Sequence, residues 1–288
     1  MLLPSELEID VYRNIHPDIK HMTDEQLLAH YQKFGRDEGR QANRLKDRND
    51  FAALIPNDLL ALEIGPFANP IKQGDNVHYA DFLGQAELIE RALKLGIKPE
   101  RVPVVHHILS ETPLNKIDVH YDAVISSHCI EHQPDLIKHL TDVHSLVQAN
   151  AGRYFLLIPD KRYCFDRFIA ESTIADILEA HEAQRSVHTL KSVIEHRALI
   201  TANNATEHWK KTQKGVPKVD PAKVNNALKE WRNAQGAYID VHAWYFTPDS
   251  FAEIISLLNK LSLIDLEVER LYPTRRFRNE FWAILKCR

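Results

Sequence analysis

Leu59-Leu60-Ala61-Leu62-Glu63-Ile64-Gly65-Pro66-Phe67-Ala68-Asn69-Pro70 decides how this chain is read. An apolar run ends in an acid, a glycine follows two residues on, and a short turn closes the stretch. A buried parallel strand opening into a ligand-binding loop has this pattern. Ligands of open α/β sheets lie outside the carboxyl ends of the strands, where backbone N–H groups are free. Glycine lets the main chain turn there without a Cβ in the ligand's way. A second apolar run, Val77-His78-Tyr79-Ala80-Asp81, also ends in an acid, near the distance at which nucleotide-binding sheets hold a ribose. A full G-x-G-x-x-G is absent, because Phe67 and Pro70 stand near the positions of the further glycines. A pyrophosphate needs that close approach; a nucleoside cofactor without phosphates does not. The pattern therefore favours S-adenosylmethionine over a nicotinamide dinucleotide, against the plainer alternative of an ordinary strand and turn with a chance acid downstream.

Working outward, strands and helices alternate from residue 58, as in a parallel sheet with right-handed crossovers. The strands are predicted at 59–64, 77–82, 102–108, 121–127 and 153–158, with helices at 85–95 and 135–147. Thr247-Pro248-Asp249-Ser250 is a helix start, with proline in the first turn of a helix over 248–261. Apolar segments 263–271 and 280–286 are too close for a crossover helix and must pair antiparallel. The expected fold is a Rossmann-like α/β domain with a mostly parallel seven-stranded sheet and a terminal antiparallel hairpin, the sheet of the class I methyltransferases. Residues 1–48 read as a helical accessory module and 49–288 as the main domain. In the module, Thr23-Asp24-Glu25-Gln26 is a capping box before Leu27, Leu28, Tyr31 and Phe34, and Gly35 is a helix stop. A helical insert at about 166–236, with helices such as 174–183 and 224–231, follows the fifth strand and would lie over the sheet's carboxyl edge. Its 205–235 stretch carries Lys210, Lys211, Lys214, Lys218, Lys223, Lys229 and Arg232 against Glu207, Asp220 and Glu230. That suits either a lid for an anionic acceptor or a solvated helical face.

The whole-chain numbers bound the partners. With 288 residues, 44% hydrophobic and 26% charged, the chain is an ordinary globular protein. A net charge of −4 gives no reason to expect nucleic acid as a partner. Cys129, Cys164 and Cys287 contain no CxxC and suit a reducing cytoplasm. No apolar run approaches a membrane span, and the N-terminus has no signal-peptide pattern, so the location expected is cytoplasmic, with peripheral contact at the inner membrane left open. Sixteen histidines are many, yet none shows HExxH or another clean ligand spacing, so no metal site is expected.

Two further stretches carry chemistry. Ser126-Ser127-His128-Cys129-Ile130-Glu131-His132 ends the fourth strand beside the first loop. An imidazole there can take a proton from a sugar hydroxyl as a methyl group arrives, which makes His128 the candidate base. His132 is a second candidate, or a buried residue at the start of the next helix. Asp160-Lys161-Arg162-Tyr163 leaves the fifth strand, where Arg162 could grip a carboxylate or phosphate. A salt-bridged cluster fixing the insert is the competing reading.

Taken together, Leu62 to Phe67 with Asn69-Pro70, Tyr79-Ala80-Asp81, Ser127 to His132, and Ile158 to Asp166 resemble a methyltransferase-domain family of bacterial polysaccharide gene clusters. Val241-His242-Ala243-Trp244-Tyr245-Phe246-Thr247-Pro248 is similar to its later motif. The stretches Tyr12 to Asp18, His30 to Gly35 and Glu38 to Arg40 resemble a short module joined to bacterial glycosyltransferases; a packing appendage is its simplest role. The resemblance implies that Glu63, Gly65, Pro66, Phe67 and Asn69 lie along the cofactor loop. Asp81 and Phe82 would then hold its nucleoside, and Ser127 and His128 would flank the sulfonium. The adenine contact would fall to Ser110 or Glu111, since no acid or amide stands at the expected place between strands three and four. Asp160, Lys161, Arg162, Tyr163, His242 and Trp244 would face the acceptor. The implied activity is S-adenosylmethionine-dependent O-methylation of a glycan or its precursor, with a glycosyltransferase as partner. A non-catalytic scaffold on the same fold, or a different reaction on a phosphorylated sugar, is the alternative.

Overall fold

The computed structural model describes residues 3–148, 151–212, 215–216 and 218–288. Seven strands, β1 Ala61–Ile64, β2 Val77–Asp81, β3 His107–Ile108, β4 Ala123–Ser127, β5 Arg153–Pro159, β6 Leu266–Tyr272 and β7 Glu280–Cys287, form one sheet. Its order is β3-β2-β1-β4-β5-β7-β6. β7 runs antiparallel to both neighbours and all other pairs are parallel. This is the Rossmann-like sheet with a terminal hairpin that the sequence implied. The strand order reverses between β1 and β4, so their carboxyl ends open a crevice at the switch point.

Ten α-helices accompany the sheet among the described residues: α1 Ile9–Ile15, α2 Asp24–His30, α3 Arg48–Ala52, α4 Gln85–Lys94, α5 Leu136–Leu146, α6 Ile174–Glu182, α7 Leu190–Ile194, α8 Ala205–Trp209, α9 Pro221–Ala234 and α10 Pro248–Lys260. Strand residues alternate between two cores, as a period of two requires. Leu62, Val124, Leu156 and Ala283 pack with α5 and α10. Ala61, Ile125, Phe155 and Trp282 pack with Phe51 and Ala52 of α3. Ser127 and Glu280 share this second face by the same alternation, which brings them toward Arg48.

The sequence reading overshoots at β3. Of 102–108, only His107–Ile108 pairs with β2, because Pro103 has no N–H to donate and a three-residue 3₁₀ turn precedes it. Gly35 is the last helical residue, where the sequence placed a stop. The helix continues from α2 through a π turn over Tyr31–Gly35, and Gly35 is buried where a Cβ would fall 2.1 Å from the Tyr12 hydroxyl. Close packing requires this glycine. The Thr23 capping box forms as expected, with Leu27 and Tyr31 inward and Leu28 and Phe34 exposed.

One buried polar chain crosses the first core. The Tyr154 hydroxyl is hydrogen-bonded to Ser126 Oγ at 2.7 Å and His139 Nε2 at 3.0 Å. Burial pushes the His139 imidazole down to about 4, with Lys138 adding to the shift. A depressed imidazole stabilises the fold above its unfolded value of 6.5, and that contribution is lost as pH falls toward 4. From this group alone the loss should reach about 3 kcal/mol. His139→Gln cannot titrate, so urea unfolding of that variant at pH 7.5 and pH 4.5 should show a smaller difference than the unaltered protein. An equal difference would remove His139 from the acid sensitivity.

Candidate active site

The crevice is lined by strained backbone. Gly65 has φ of 69°, and two non-glycine residues beside it, Phe67 at 44° and His128 at 50°, also adopt the left-handed region. Such conformations are unfavourable for residues with a Cβ and concentrate at functional sites. Ile64 and Ser126 are paired, so these turns leave the sheet side by side. A Cβ on Gly65 would come 3.4 Å from Cys129 Sγ. Asp81 Oδ2 accepts the Phe67 amide at 3.2 Å and fixes the first loop. Burial raises the Asp81 carboxyl, opposed by the backbone amides around it. Phe82 is exposed and stacks on Tyr238 with ring centroids 6.0 Å apart.

The other loop residues fall into different roles. Glu63 is buried, and its carboxylate accepts the amides of Ile71 at 2.8 Å and Lys72 at 2.9 Å. Burial pushes it up to about 7 against those bonds. It holds the loop's far end and does not face the crevice as a free group. Asn69 accepts from Arg101 at 2.6 Å, Pro66 is buried, and Ser110 is exposed beyond the short β3.

His128 is held from behind. Its Nε2 donates to Glu280 Oε2 at 2.9 Å, and Arg48 Nη2 donates to the same oxygen at 2.6 Å and to Ser127 Oγ at 3.1 Å. A carboxylate only accepts, so Nε2 carries the proton and Nδ1 is left as the accepting atom of the neutral ring. Burial disfavours the charged imidazole, but Glu280 and Glu131 outweigh it and the net shift is upward from 6.5. Burial acts against the Glu280 anion, yet His128 and Arg48 bring that carboxyl down to about 2.

Beyond this dyad lies a cavity of about 300 Å³, between the N-terminal module and the β6–β7 turn. His128, Glu280 and Trp282 line it together with Lys46, Arg275 and Arg278. Among the described residues, none of those three cations has a carboxylate within 4.0 Å. Arg275 Nη1 donates to the Lys46 carbonyl at 2.8 Å, while its Nη2 is buried without a partner. Burial lowers Arg275 to about 10, with Arg278 adding to the shift. The N-terminal segment thus supplies one wall of a largely cationic cavity. Lys210 and Lys211, in the basic insert, are exposed and do not line it; Lys214 lies outside the described residues.

The 160–163 stretch is saturated internally. Asp160 is fully buried and accepts from Arg162 Nη2 at 2.7 Å and Thr274 Oγ1 at 2.6 Å. Arg162 is therefore half of a local ion pair, the salt-bridged arrangement that competed with acceptor binding in the sequence. Lys161 Nζ donates to the Arg167 carbonyl at 3.3 Å. Tyr163 stacks on Trp209 of the insert at 3.8 Å, and the Trp209 indole donates to the Arg278 carbonyl at 2.8 Å. Trp244 is buried and its indole donates to the Gln133 carbonyl. His242 is buried against Asp166, and His132 faces Glu131 and Asp240. Arg48, Glu280, Arg275 and Glu131 were not singled out from sequence as site residues.

No family model and no curated relative matches the chain. Among solved structures it is similar to the CcbJ methyltransferase from Streptomyces caelestis, at 10% identity over 84% of this chain and 94% of that one, with a TM-score of 0.41. It is also similar to a protein from Rhodobacter sphaeroides described as a Zn-dependent alcohol dehydrogenase, at 16% identity over 85% and 91%, with a TM-score of 0.44. A third is the N-terminal domain of EvdMO1 in the presence of SAH and D-fucose, at 13% identity over 93% and 99%, with a TM-score of 0.38. Likeness this loose carries no argument about activity.

The dyad makes a prediction with a sign. An imidazole raised above 6.5 stabilises the fold below that pH and loses the contribution as pH rises through the folded value. Glu280→Gln should therefore lower the melting temperature more at pH 6 than at pH 9, and NMR titration should place His128 at a lower pKa than in the unaltered protein. An unmoved His128 titration would break the proposed coupling.

Proposed function

We propose that the chain is an S-adenosylmethionine-dependent methyltransferase that O-methylates a sugar hydroxyl of an anionic glycan or glycan precursor. The observation that supports the reading is the switch point, where Gly65 and His128 follow the paired strands β1 and β4 and Asp81 ends β2 on the other side of β1. The residues fit a nucleoside cofactor: Gly65 keeps its Cβ position clear beside Cys129, Asp81 stands one strand away, and Phe82 offers an exposed ring. When bound, the cofactor supplies an electrophilic methyl group on a sulfonium. The chain's own residues do the rest. Glu280 holds the His128 tautomer, so that Nδ1 can take the hydroxyl proton as the new bond forms. Arg48 fixes Glu280, and Lys46, Arg275 and Arg278 attract the acceptor's anionic group. The insert is pinned by Trp209 to the Arg278 carbonyl, at the rim of the cavity.

Among the described residues no helix is long and apolar enough to cross a membrane, and all three cysteines are free. A cytoplasmic site of action fits a reducing compartment. A glycosyltransferase partner belongs to this reading through the resemblance of the N-terminal module. The unpaired cations would also suit a phosphorylated sugar in a different reaction, and cofactor binding separates the two.

S-adenosylhomocysteine at about 100 times its dissociation constant should stabilise the protein by about 2.7 kcal/mol. Gly65→Val should abolish binding in calorimetric titrations, and Asp81→Ala should weaken it by about 1.5–3 kcal/mol. Full-strength binding by both variants would remove the crevice as the cofactor site.

His128→Ala should lower kcat by about 10²–10⁴-fold with S-adenosylhomocysteine affinity kept. The rise of kcat with pH should follow the upward-shifted imidazole and disappear in that variant. Arg278→Glu should raise the acceptor KM and reduce its salt dependence, with cofactor affinity unchanged. A KM indifferent to Arg278 and to salt would empty the cavity of its assigned role.

A further inference from the structure

We propose that Glu131, His132 and His242 bind one divalent transition-metal ion. Glu131 follows β4 and is fully buried, and neither carboxylate oxygen has a hydrogen-bond partner among the described residues. A buried, unpartnered carboxylate is unfavourable unless a cation or donor meets it. Its main chain is firmly placed: the Glu131 carbonyl accepts the Ala243 amide at 2.7 Å and the Trp244 amide at 3.2 Å. Those bonds hold the segment carrying His242 against the segment carrying Glu131 and His132.

The side chains then converge on one point. Glu131 Oε1 lies 3.8 Å from His132 Nε2 and 3.9 Å from His242 Nε2. These separations are too long for hydrogen bonds. They fall within the span covered by two bonds of about 2.0–2.2 Å to a shared ion. All three ligand atoms lie within 4.8 Å of one another, so small side-chain rotations complete the set.

The far nitrogens supply an independent argument. His242 Nδ1 donates to Asp166 Oδ2 at 2.7 Å, and His132 Nδ1 lies 3.0 Å from Asp240 Oδ1. A carboxylate on one ring nitrogen fixes the tautomer and turns the other nitrogen's lone pair toward a metal. His242 is oriented this way; Asp240 stands close to His132 Nδ1 without hydrogen-bond geometry. Asp166, His196 and His242 also lie close together, but that grouping is already used internally. His242 Nδ1 is bonded to Asp166, and His196 Nδ1 accepts the His242 amide at 3.2 Å.

Two imidazoles and one carboxylate suit Zn²⁺, Co²⁺ or Fe²⁺; Ca²⁺ and Mg²⁺ favour all-oxygen sets. The ion would clamp the returning end of the insert to the loop after β4. The proposal needs no bound cofactor, although Glu131 Oε1 also lies 4.0 Å from His128 Nδ1, so the ion would neighbour the base of the methyl-transfer reading.

The test is cobalt titration of the full-length, tag-free chain, read by visible d–d absorption and equilibrium dialysis. One equivalent should bind with ligand-field bands, and Zn²⁺ should displace it. Glu131→Gln and His242→Ala should each weaken binding at least about 100-fold, while Asp166→Asn, which leaves all three ligands in place, should weaken it by about 10–100-fold. His21→Ala, an exposed histidine on the N-terminal module, should change nothing. Circular dichroism checks the fold of each variant; if Glu131→Gln fails to fold, His242→Ala and Asp166→Asn decide. Absence of a stoichiometric cobalt complex overturns the site, as does a complex unaffected by the ligand variants that fold.

Discussion

Glu280 is where three separately encoded parts of the molecule meet. It opens β7 at the carboxyl edge of the sheet, takes two hydrogen bonds from Arg48 at the start of α3, and holds the imidazole that ends β4. Desolvating that carboxylate is expensive, and removing either cation would leave a poorly compensated charge. With both present, the same atoms set the tautomer of His128, the position of Ser127 and the placement of α3. The cavity beyond them follows from that placement, because α3 continues directly from the N-terminal module. Three parts of the fold share one anchor here, so disturbing Glu280 would loosen β7, α3 and the turn after β4 together.

Most of the sheet was legible because buried strands carry their own signature. The runs ending at Ile64, Asp81 and Ser127 show where the ladder stops and the crevice begins, and the short spacing before β7 requires an antiparallel partner. The reading failed at β3, where Val102, Val104 and Val105 resemble a strand but Pro103 and a sparsely paired edge prevent one. Periodicity reports which residues want burial; it does not report which amides find carbonyls. In the N-terminal module Gly35 ends its helix as local rules expect, while the Tyr12 hydroxyl on another helix adds a packing demand for glycine that no local pattern shows.

The site was less legible, and the reason is separation. His128 is conspicuous in the sequence because it directly follows a strand. Its partner stands 152 residues away, and the arginine behind that partner reaches back 79 residues to Ser127. Nothing local to Arg48 or Glu280 distinguishes them from ordinary surface charges. Arg162 shows the opposite error. It looks available in the sequence, but Asp160, two residues earlier, occupies its guanidinium. Glu63 likewise has the right position for a cofactor loop while its carboxylate caps the amides of Ile71 and Lys72. A side chain's availability depends on everything that folds against it.

The cavity wall contributed by the N-terminal module has a consequence for how such a protein can change over generations. A detachable appendage can be traded between genes without altering the domain it decorates. Here Arg275 donates to the carbonyl of Lys46, so the seam between module and turn is also a wall of the cavity. A module acquired from elsewhere would bring a new wall with it, and the turn would have to adapt in concert. Recombination at that boundary would therefore alter what the cavity accepts while leaving the strands of the sheet untouched.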